Sequence, residues 1–325
     1  MENNNNDYVT RINLKTATNQ REKLIDFCLN GKNEFTDDEN ALGKAQFLAI
    51  GWSSVDFEFD DFSAFYNTVV EYVHGQKRRL NPALNIFNKA CVNDLFWTRD
   101  LDGVYWICRV TEPAKAYSNK ELDIGAVLPV EAYPLGLEVP GQIKASFNRA
   151  RGGIVQRLHY PAIIEYSKFV FNKLSGKNYY SLNLAIANNV IENLPDFELE
   201  ELVISYLQIV KGYYLLSNSI ANKSTTIKIE CQLISRDVNN IKKAVVQVKG
   251  PKANELKASD FKAFEEKDYY IYLYGPNNGE LKDMKNVIWI TPKEIEEFYR
   301  EYKAILPESI TQFENLFNIG FSEKQ

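Results

Sequence analysis

Two polar residues separated by one valine mark the segment of this sequence that is best suited to chemistry. Gln247 and Lys249 end a run of alternating residues that starts at Lys243, so both side chains project from one face of a predicted strand. Glu230 lies in the preceding alternating run, and a turn over 237–240 allows the two strands to pair. A lysine and an amide on a buried strand need partners or a function.

These side chains carry the atoms that a divalent cation and a phosphate require. Phosphodiester hydrolysis needs a hard cation to polarise the phosphate and activate water, and Mg²⁺ prefers oxygen ligands. Glu230 offers a carboxylate, Gln247 an amide oxygen and Val248 a backbone carbonyl. We therefore predict that these three residues hold Mg²⁺ or Mn²⁺, while Lys249 stabilises the pentavalent phosphate or orients the attacking water.

A helix upstream of the two strands can supply a second carboxylate. The segment from Leu199 to Tyr214 has apolar residues at helical spacing, and Gly212 near its end is typical of a helix stop. Glu201 is the predicted acid on this helix, and the neighbouring Glu198 or Glu200 can take its place.

Further elements complete an α/β layered arrangement around this segment. The pattern predicts a helix, two strands, a second helix, two more strands and a last helix. The predicted strands cover residues 226–234, 243–249, 269–274 and 287–291, and the last helix covers 292–302 with Thr291 at its start.

This order of elements and polar residues resembles the PD-(D/E)xK nuclease superfamily. It resembles in particular the Mrr-like branch, in which glutamine replaces the second acid. The resemblance covers residues 198–298, with Glu201-Leu-Val-Ile-Ser-Tyr-Leu-Gln208 as the first helix and Ala244-Val-Val-Gln-Val-Lys-Gly250 as the core motif. It implies a restriction-endonuclease-like domain with a mixed central sheet and Mg²⁺-dependent cleavage of DNA.

The sequence departs from the family pattern at two points. Glu230 stands where the family more often has aspartate, and no proline precedes it. Glutamine also binds a cation more weakly than a carboxylate, which favours one metal ion over two. The alternative interpretation is structural: Lys249 extends its ammonium from a strand end into water, and Glu230 faces solvent.

The N-terminal half is rich in aromatic residues and in strand signals. A helix is predicted over 62–73, and two strands over 94–99 and 104–110 form a hairpin around the turn Asp100-Leu-Asp-Gly103. A further strand is predicted over 127–133. Residues 1–44 are predicted to be a mobile tail followed by a short helix.

The hairpin and the segment Gly51-Trp-Ser-Ser54 distantly resemble EVE domains of the PUA-like class. Those domains are small β-barrels that cradle bases, so the resemblance implies a domain that reads a flipped, modified base. The residues implied in base reading are Trp52, Ser53, Asp94, Trp97, Trp106 and Tyr133, and those implied in phosphate contact are Lys144, Arg149, Arg151 and Arg157. The alternative is that at least two of the tryptophans are core residues.

Composition excludes several classes of protein. The chain has 45% hydrophobic and 25% charged residues and a net charge of −5, which fits a soluble protein whose nucleic-acid contacts would be local. No apolar run is long enough for a membrane span, and no phosphate-binding GxxxxGK[ST] loop is present. Scattered cysteines and only two histidines argue against zinc and predict a cytoplasmic protein.

Together these patterns predict two domains joined by a helical linker. The boundaries are 1–44 for the tail and short helix, 45–165 for the EVE-like barrel with helices, 166–190 for the linker and 191–325 for the nuclease domain. The predicted activity is modification-dependent DNA restriction, with a homodimer on DNA because a double-strand break needs two active sites. A non-catalytic nucleic-acid-binding module and an RNA-processing nuclease remain the alternatives.

Overall fold

The computed structural model describes residues 7–33, 45–53, 61–75, 82–148, 153–182, 190–216, 229–251, 253–276 and 284–314. The chain divides into two compact units, Met1–Asn183 and Leu184–Gln325. Each unit has its own β-sheet, and the protein is therefore a mixed α/β structure with two sheets. In the described ranges, no helix combines the length and the apolar composition that crossing a bilayer requires.

The first unit contains five helices and a seven-stranded sheet in its described part. The strands are β1 (Val9–Ile12), β2 (Gln46–Ile50), β3 (Leu95–Arg99), β4 (Tyr105–Val110), β5 (Lys115–Asn119), β6 (Ile124–Gly136) and β7 (Val155–Leu158). The helices are α1 (Arg21–Cys28), α2 (Phe62–Gly75), α3 (Pro82–Lys89), α4 (Gly141–Phe147) and α5 (Pro161–Ser175).

The first sheet is a curled half-barrel with the strand order β2-β6-β4-β3-β1-β7. Strands β1 and β3 are parallel, whereas the other pairs are antiparallel. The long strand β6 holds the sheet together, because its first half pairs with β2 and β5 and its second half pairs with β4. The predicted helix over 62–73 lies within α2, and the strand over 127–133 lies within β6.

The predicted hairpin is confirmed. Strands β3 and β4 pair with Leu95 opposite Arg109 and Arg99 opposite Tyr105. Asp100 closes the turn, because its Oδ1 accepts a hydrogen bond of 2.9 Å from the backbone N–H of Val104. An aspartate at this position of a turn is favoured for that reason.

The region predicted as a tail and short helix also contributes a central strand. Helix α1 is the predicted short helix, but β1 lies between β3 and β7 in the sheet. Its residue Arg11 has no exposed surface and donates to the carbonyl oxygens of Gly153 at 2.7 Å and Ile154 at 3.0 Å. A four-residue strand that contains an arginine carries too little apolar periodicity to be predicted from the sequence.

Helix α5 belongs to the first unit and does not join two domains. It packs against β1, β4 and β6, and its residues Ile163, Tyr166 and Val170 are buried. The predicted linker over 166–190 therefore starts inside a core helix of the first unit. That unit ends at Asn183.

The second unit has a five-stranded sheet with the order β12-β11-β10-β9-β8. Its strands are β8 (Tyr213–Leu215), β9 (Cys231–Ser235), β10 (Lys243–Val248), β11 (Tyr270–Tyr274) and β12 (Val287–Trp289), and its helices are α6 (Asp196–Ile209), α7 (Lys262–Glu265) and α8 (Pro292–Tyr302). Pairs β8–β9 and β9–β10 are antiparallel, whereas β10–β11 and β11–β12 are parallel. The four predicted strands correspond to β9 to β12.

The end of α6 and the start of α8 both follow from local sequence signals. Helix α6 ends at Ile209, and Gly212 with φ +72° turns the chain into the edge strand β8, so the helix predicted to Tyr214 is too long. Helix α8 starts as predicted at Thr291, whose Oγ1 accepts from Glu294 N while the Glu294 carboxylate accepts from Thr291 N.

The two faces of the second sheet are covered differently. Helix α6 and the buried pair Tyr213 and Tyr272 lie on the face of Val246. The other face carries Val245, Ile271 and Leu273, which pack against Leu256, Ala258 and Phe261 from the connection between β10 and β11. Since side chains alternate along a strand, Gln247 belongs to this second face.

Candidate active site

The pairing of β9 with β10 places Glu230 opposite Gln247. Cys231 is the partner of Val246 in the antiparallel register, and Glu230 N donates to Val246 O at 2.8 Å. The next pair along the ladder is therefore Glu230 with Gln247, and side chains of directly opposed residues share one face. The predicted approach of these two residues is found in the structure.

Gln247 is the most tightly enclosed side chain of the site. It is 2% exposed, and its Nε2 donates to Glu230 Oε1 at 2.6 Å and to the Val248 carbonyl at 3.2 Å. Its Oε1 is buried and has no hydrogen-bond partner among the described residues. A buried acceptor without a donor costs about 1–3 kcal/mol, which a bound cation or water molecule at this oxygen would offset.

The atoms around Gln247 include oxygens of the type that a small hard cation binds. The two acceptors of Gln247 Nε2, at 2.6 and 3.2 Å, are a carboxylate and a carbonyl oxygen. Rotating the amide by half a turn would put Oε1 where Nε2 now lies, beside Glu230 Oε1 and Val248 O. Carboxylate, amide and carbonyl oxygens would then converge, and that set suits Mg²⁺ or Mn²⁺.

The cation site would depend on amide and carbonyl oxygens as well as on carboxylates. In the described ranges, no group of three or more His, Cys, Asp or Glu side chains is arranged to hold a metal ion. Glu230 is buried, with 8% of its surface exposed.

Lys249 lies directly after β10, where the chain leaves the sheet. Its N–H donates to Tyr274 O at 2.8 Å, and its side chain is half-buried. Gly275, with φ +144°, lets the end of β11 lie close to Lys249, since a Cβ on this glycine would be 2.9 Å from Lys249 Cβ. Among the described residues Lys249 forms no ion pair, so its ammonium remains available to an anion.

The acids on α6 differ in burial. Glu201 is exposed, and its Oε2 accepts from Ser309 Oγ at 3.4 Å. Glu198 in the first turn of α6 is 1% exposed, and a Cβ placed on Gly250 would lie 3.3 Å from Asp196 Oδ1. The start of α6 is therefore next to the end of β10. Glu198 precedes Leu202 by four residues, so helical spacing alone could have assigned it to the packed face.

Trp97 is a core residue and offers no face to a base. Its ring is 0% exposed, and it stacks on Tyr166 with centroids 6.2 Å apart. Its Nε1 donates to Ser167 Oγ at 2.9 Å, which satisfies the only polar group of the indole. This burial favours the core alternative for Trp97 over the predicted base-reading role.

Trp106 and Tyr133 are half-buried and bonded to acids of the same unit. Trp106 Nε1 donates to Asp100 Oδ2 at 2.9 Å, and Tyr133 OH donates to Glu131 Oε1 at 2.5 Å. Burial, followed by that hydrogen bond, raises the pKa of Tyr133 to about 12. Arg109 is the second partner of Glu131, at 2.6 Å. These contacts tie β4 to β6 and do not converge with Trp97.

Asp94 and Ser53 are buried and engaged in turns. Asp94 is 5% exposed and accepts from the Cys91 N–H at 3.0 Å, whereas Ser53 Oγ donates to Asp123 Oδ1 at 2.8 Å. Trp52 is half-buried and has φ +74°, a strained conformation for a bulky residue. Of the predicted base-reading residues, Trp52, Trp106 and Tyr133 are half-buried, whereas Ser53, Asp94 and Trp97 are buried.

The predicted phosphate contacts are dispersed. Lys144 pairs with Glu138 at 2.5 Å, and the guanidinium of Arg157 lies 4.2 Å from the centre of the Tyr8 ring. Arg149 and Arg151 lie outside the described residues. The described basic side chains of this group are thus held by contacts within the first unit.

Comparison with protein-family models, with curated proteins and with solved structures found no significant match to this chain. The case for a function therefore depends on the geometry at the end of β10.

Proposed function

We propose that the second unit is a divalent-cation-dependent nuclease that hydrolyses phosphodiester bonds in DNA. The observation that carries the proposal is the Gln247 amide. It is buried beside Glu230 Oε1 and Val248 O, and its own oxygen has no partner among the described residues. Lys249 follows on the next position of the same strand face, as the Gln-x-Lys pattern requires.

Each residue has a separate role in this proposal. Glu230, Gln247 Oε1 and Val248 O hold Mg²⁺ or Mn²⁺, which when bound polarises a phosphoryl oxygen and activates water. The oxygen of a water molecule bonds to phosphorus and gives up a proton to the solvent, while the bond from phosphorus to the leaving sugar oxygen breaks and that oxygen takes up a proton from water. Lys249 donates to the non-bridging oxygen on which negative charge accumulates. Glu198 takes the place of Glu201 as the helix carboxylate.

The order of elements supports the finer assignment of fold. The helix acid lies on α6, Glu230 immediately precedes β9, and Gln247 lies on β10, in the order in which the sequence resembles PD-(D/E)xK nucleases. We propose a restriction-endonuclease-like fold for the second unit and a PUA-like fold for the curled first unit.

Modification-dependent restriction extends this proposal to the whole chain. The first unit would select a modified base through Trp52 or Trp106, and two copies of the chain would cut the two strands of DNA. The support is the partial exposure of these two residues together with the EVE-like segment around Trp52.

The deciding experiment measures cleavage by the full chain with Mg²⁺. Wild type and Lys249→Ala are incubated with unmodified DNA, with DNA that carries modified cytosines and with RNA. Lys257→Ala is the matched control, because Lys257 is an exposed lysine on the connection between β10 and β11. We expect Lys249→Ala to lose about 10²–10³-fold in cleavage rate, with DNA binding retained and Lys257→Ala unchanged.

Each outcome distinguishes the proposed DNA nuclease from one alternative. Full cleavage by Lys249→Ala would overturn the assigned site. Cleavage of RNA alone would replace DNA as the substrate. Absence of both cleavage and Mg²⁺ binding in the wild type would favour a non-catalytic nucleic-acid-binding module, and a calorimetric titration with Mg²⁺ measures that binding directly.

A further inference from the structure

The hairpin between β9 and β10 exposes large apolar side chains far from the candidate site. This hairpin tip, residues 236–243, carries Val238 at 82% and Ile241 at 66% exposure. The connection between α6 and β8 lies beside it, because Arg236 N donates to Gly212 O at 2.9 Å. That connection and the element ends on either side of it expose three more large apolar side chains: Ile209, Val210 and Tyr214. Apolar surface grouped in this way marks a binding surface more often than a solvated one.

The hairpin tip is also positively charged in an acidic protein. Arg236, Lys242 and Lys243 stand against the single carboxylate of Asp237, whereas the whole chain has a net charge of −5. Lys242 and Lys243 lie over the rings of Tyr270 and Tyr269, with Nζ 5.0 and 5.9 Å from the ring centres. Among the described residues none of the three cations forms an ion pair, so their charge is not neutralised locally.

The positive charge of the hairpin tip favours a polyanionic partner over a second copy of the chain. A two-fold contact between two copies would bring three cations against three cations, which opposes self-association through this surface. Phosphates of a nucleic-acid duplex complement the cations, and aliphatic side chains such as those of Val238 and Ile241 can pack against sugars or wedge between bases.

We propose that the hairpin tip is a second contact for duplex DNA, in addition to the candidate active site. This inference rests on the proposed nuclease function. The tip and Lys249 lie at opposite ends of β10, which at about 3.3 Å per residue separates them by about 17–20 Å. At about 3.4 Å per base pair, the tip would contact phosphates about five to six base pairs from the bond that is cut.

The experiment measures duplex affinity and cleavage separately. The triple variant Arg236→Ala/Lys242→Ala/Lys243→Ala is compared with Lys257→Ala/Lys262→Ala/Lys267→Ala, which removes the same charge from exposed lysines around α7. Binding of a fluorescent 30-base-pair duplex is followed by anisotropy over a range of salt concentrations without divalent cation. Cleavage of the same duplex with Mg²⁺ is assayed in parallel, and vesicles of anionic lipid serve as a second anionic probe.

The plot of log affinity against log salt has a negative slope. Loss of three phosphate contacts makes this slope shallower by about 2.7 in the tip variant. The ratio of wild-type to variant affinity then changes about 40-fold between about 50 and 200 mM salt, while the control variant keeps the wild-type slope. An unchanged slope in the tip variant would overturn the proposal, whether or not the protein cuts DNA. The same loss of slope in a protein that does not cut would support the DNA contact and count against the nuclease assignment alone.

Two further outcomes would also overturn the proposal. If the tip variant loses binding to anionic vesicles and keeps its duplex affinity, the surface contacts a membrane. If it changes only the oligomeric state in sedimentation, the surface joins two copies of the chain.

Discussion

Trp97 in the first unit and Gln247 in the second unit are both buried, but their polar atoms differ in the hydrogen bonds that they form. In the first unit Trp97 is 0% exposed, and its single N–H is bonded to Ser167 at 2.9 Å. In the second unit Gln247 is 2% exposed, and only its amide nitrogen is bonded, to Glu230 and Val248, while Oε1 has no partner among the described residues. A complete set of partners is typical of a structural residue, whereas a buried acceptor without one, as Gln142 Oε1 also is in the first unit, needs a further explanation, of which a bound ligand is one.

Other polar side chains of the first unit also have hydrogen-bond partners within the protein. The first unit pairs Glu131 with Arg109 and Tyr133 and pairs Asp100 with Trp106. Those networks stabilise strand pairing and need no ligand to explain them. The three predictions below test this contrast, from the largest expected effect to the smallest.

Removing the Trp97 side chain should affect stability and leave catalysis in the folded protein unchanged. Trp97→Ala deletes a fully buried ring and its hydrogen bond to Ser167, so we expect a loss of about 3–5 kcal/mol in the free energy of unfolding of the first unit. Urea unfolding monitored by circular dichroism measures it, and Trp97→Phe, which keeps most of the ring, is the control. A stable Trp97→Ala protein that loses only its preference for modified DNA would return Trp97 to a base-reading role.

Changing Gln247 to glutamate should make the stability of the second unit depend on Mg²⁺. Gln247→Glu removes the donor to Glu230 and brings two carboxylates together in a buried site, so we expect a loss of about 1–3 kcal/mol in EDTA. A cation that binds both carboxylates reverses this loss, and at about 100 times its dissociation constant it adds about 2.7 kcal/mol.

Gln247→Leu is the matched control for that variant, because it removes the amide without supplying a ligand. Thermal unfolding with EDTA and with increasing Mg²⁺ distinguishes the two substitutions. If Mg²⁺ raises the unfolding temperature of neither the wild type nor Gln247→Glu, then Gln247 is an ordinary buried amide and the contrast with Trp97 fails.

The sequence predicts the parts of the fold whose periodicity is strong. Alternation over Lys243–Val248 and the Pro292 start of α8 after Thr291 were sufficient to locate β10 and α8. The pairing of Glu230 with Gln247 also followed from a short turn between two alternating runs. Such local signals need no knowledge of the remaining chain.

The sequence could not predict features that depend on distant partners. Strand β1 is only four residues long and contains Arg11, whose burial depends on the carbonyl oxygens of Gly153 and Ile154 more than 140 positions away. The exposure of Trp97 likewise depends on α5, because Tyr166 and Ser167 cover its ring and nitrogen. Composition can mark an aromatic residue as interesting, but only packing decides whether its ring faces a ligand.

The smallest predicted effect concerns Glu131, the carboxylate of the first unit that has a full set of protein donors. Burial raises its pKa, but the hydrogen bonds from Tyr133 and Arg109 outweigh burial, and the pKa lies below its usual value. Glu131 therefore stabilises the folded state above its unfolded pKa of about 4.3, and this contribution is lost as the pH falls through the lower folded pKa.

Replacing this carboxylate should thus matter at neutral pH and cease to matter in acid. We expect Glu131→Gln to cost about 1 kcal/mol at pH 7, and the difference from wild type to shrink below about pH 4. Urea unfolding at a series of pH values measures the difference, and Mg²⁺ should leave it unchanged, in contrast to the Gln247→Glu variant. A difference that persists in acid would mean that Glu131 acts through packing, and a response to Mg²⁺ would place a second cation site in the first unit.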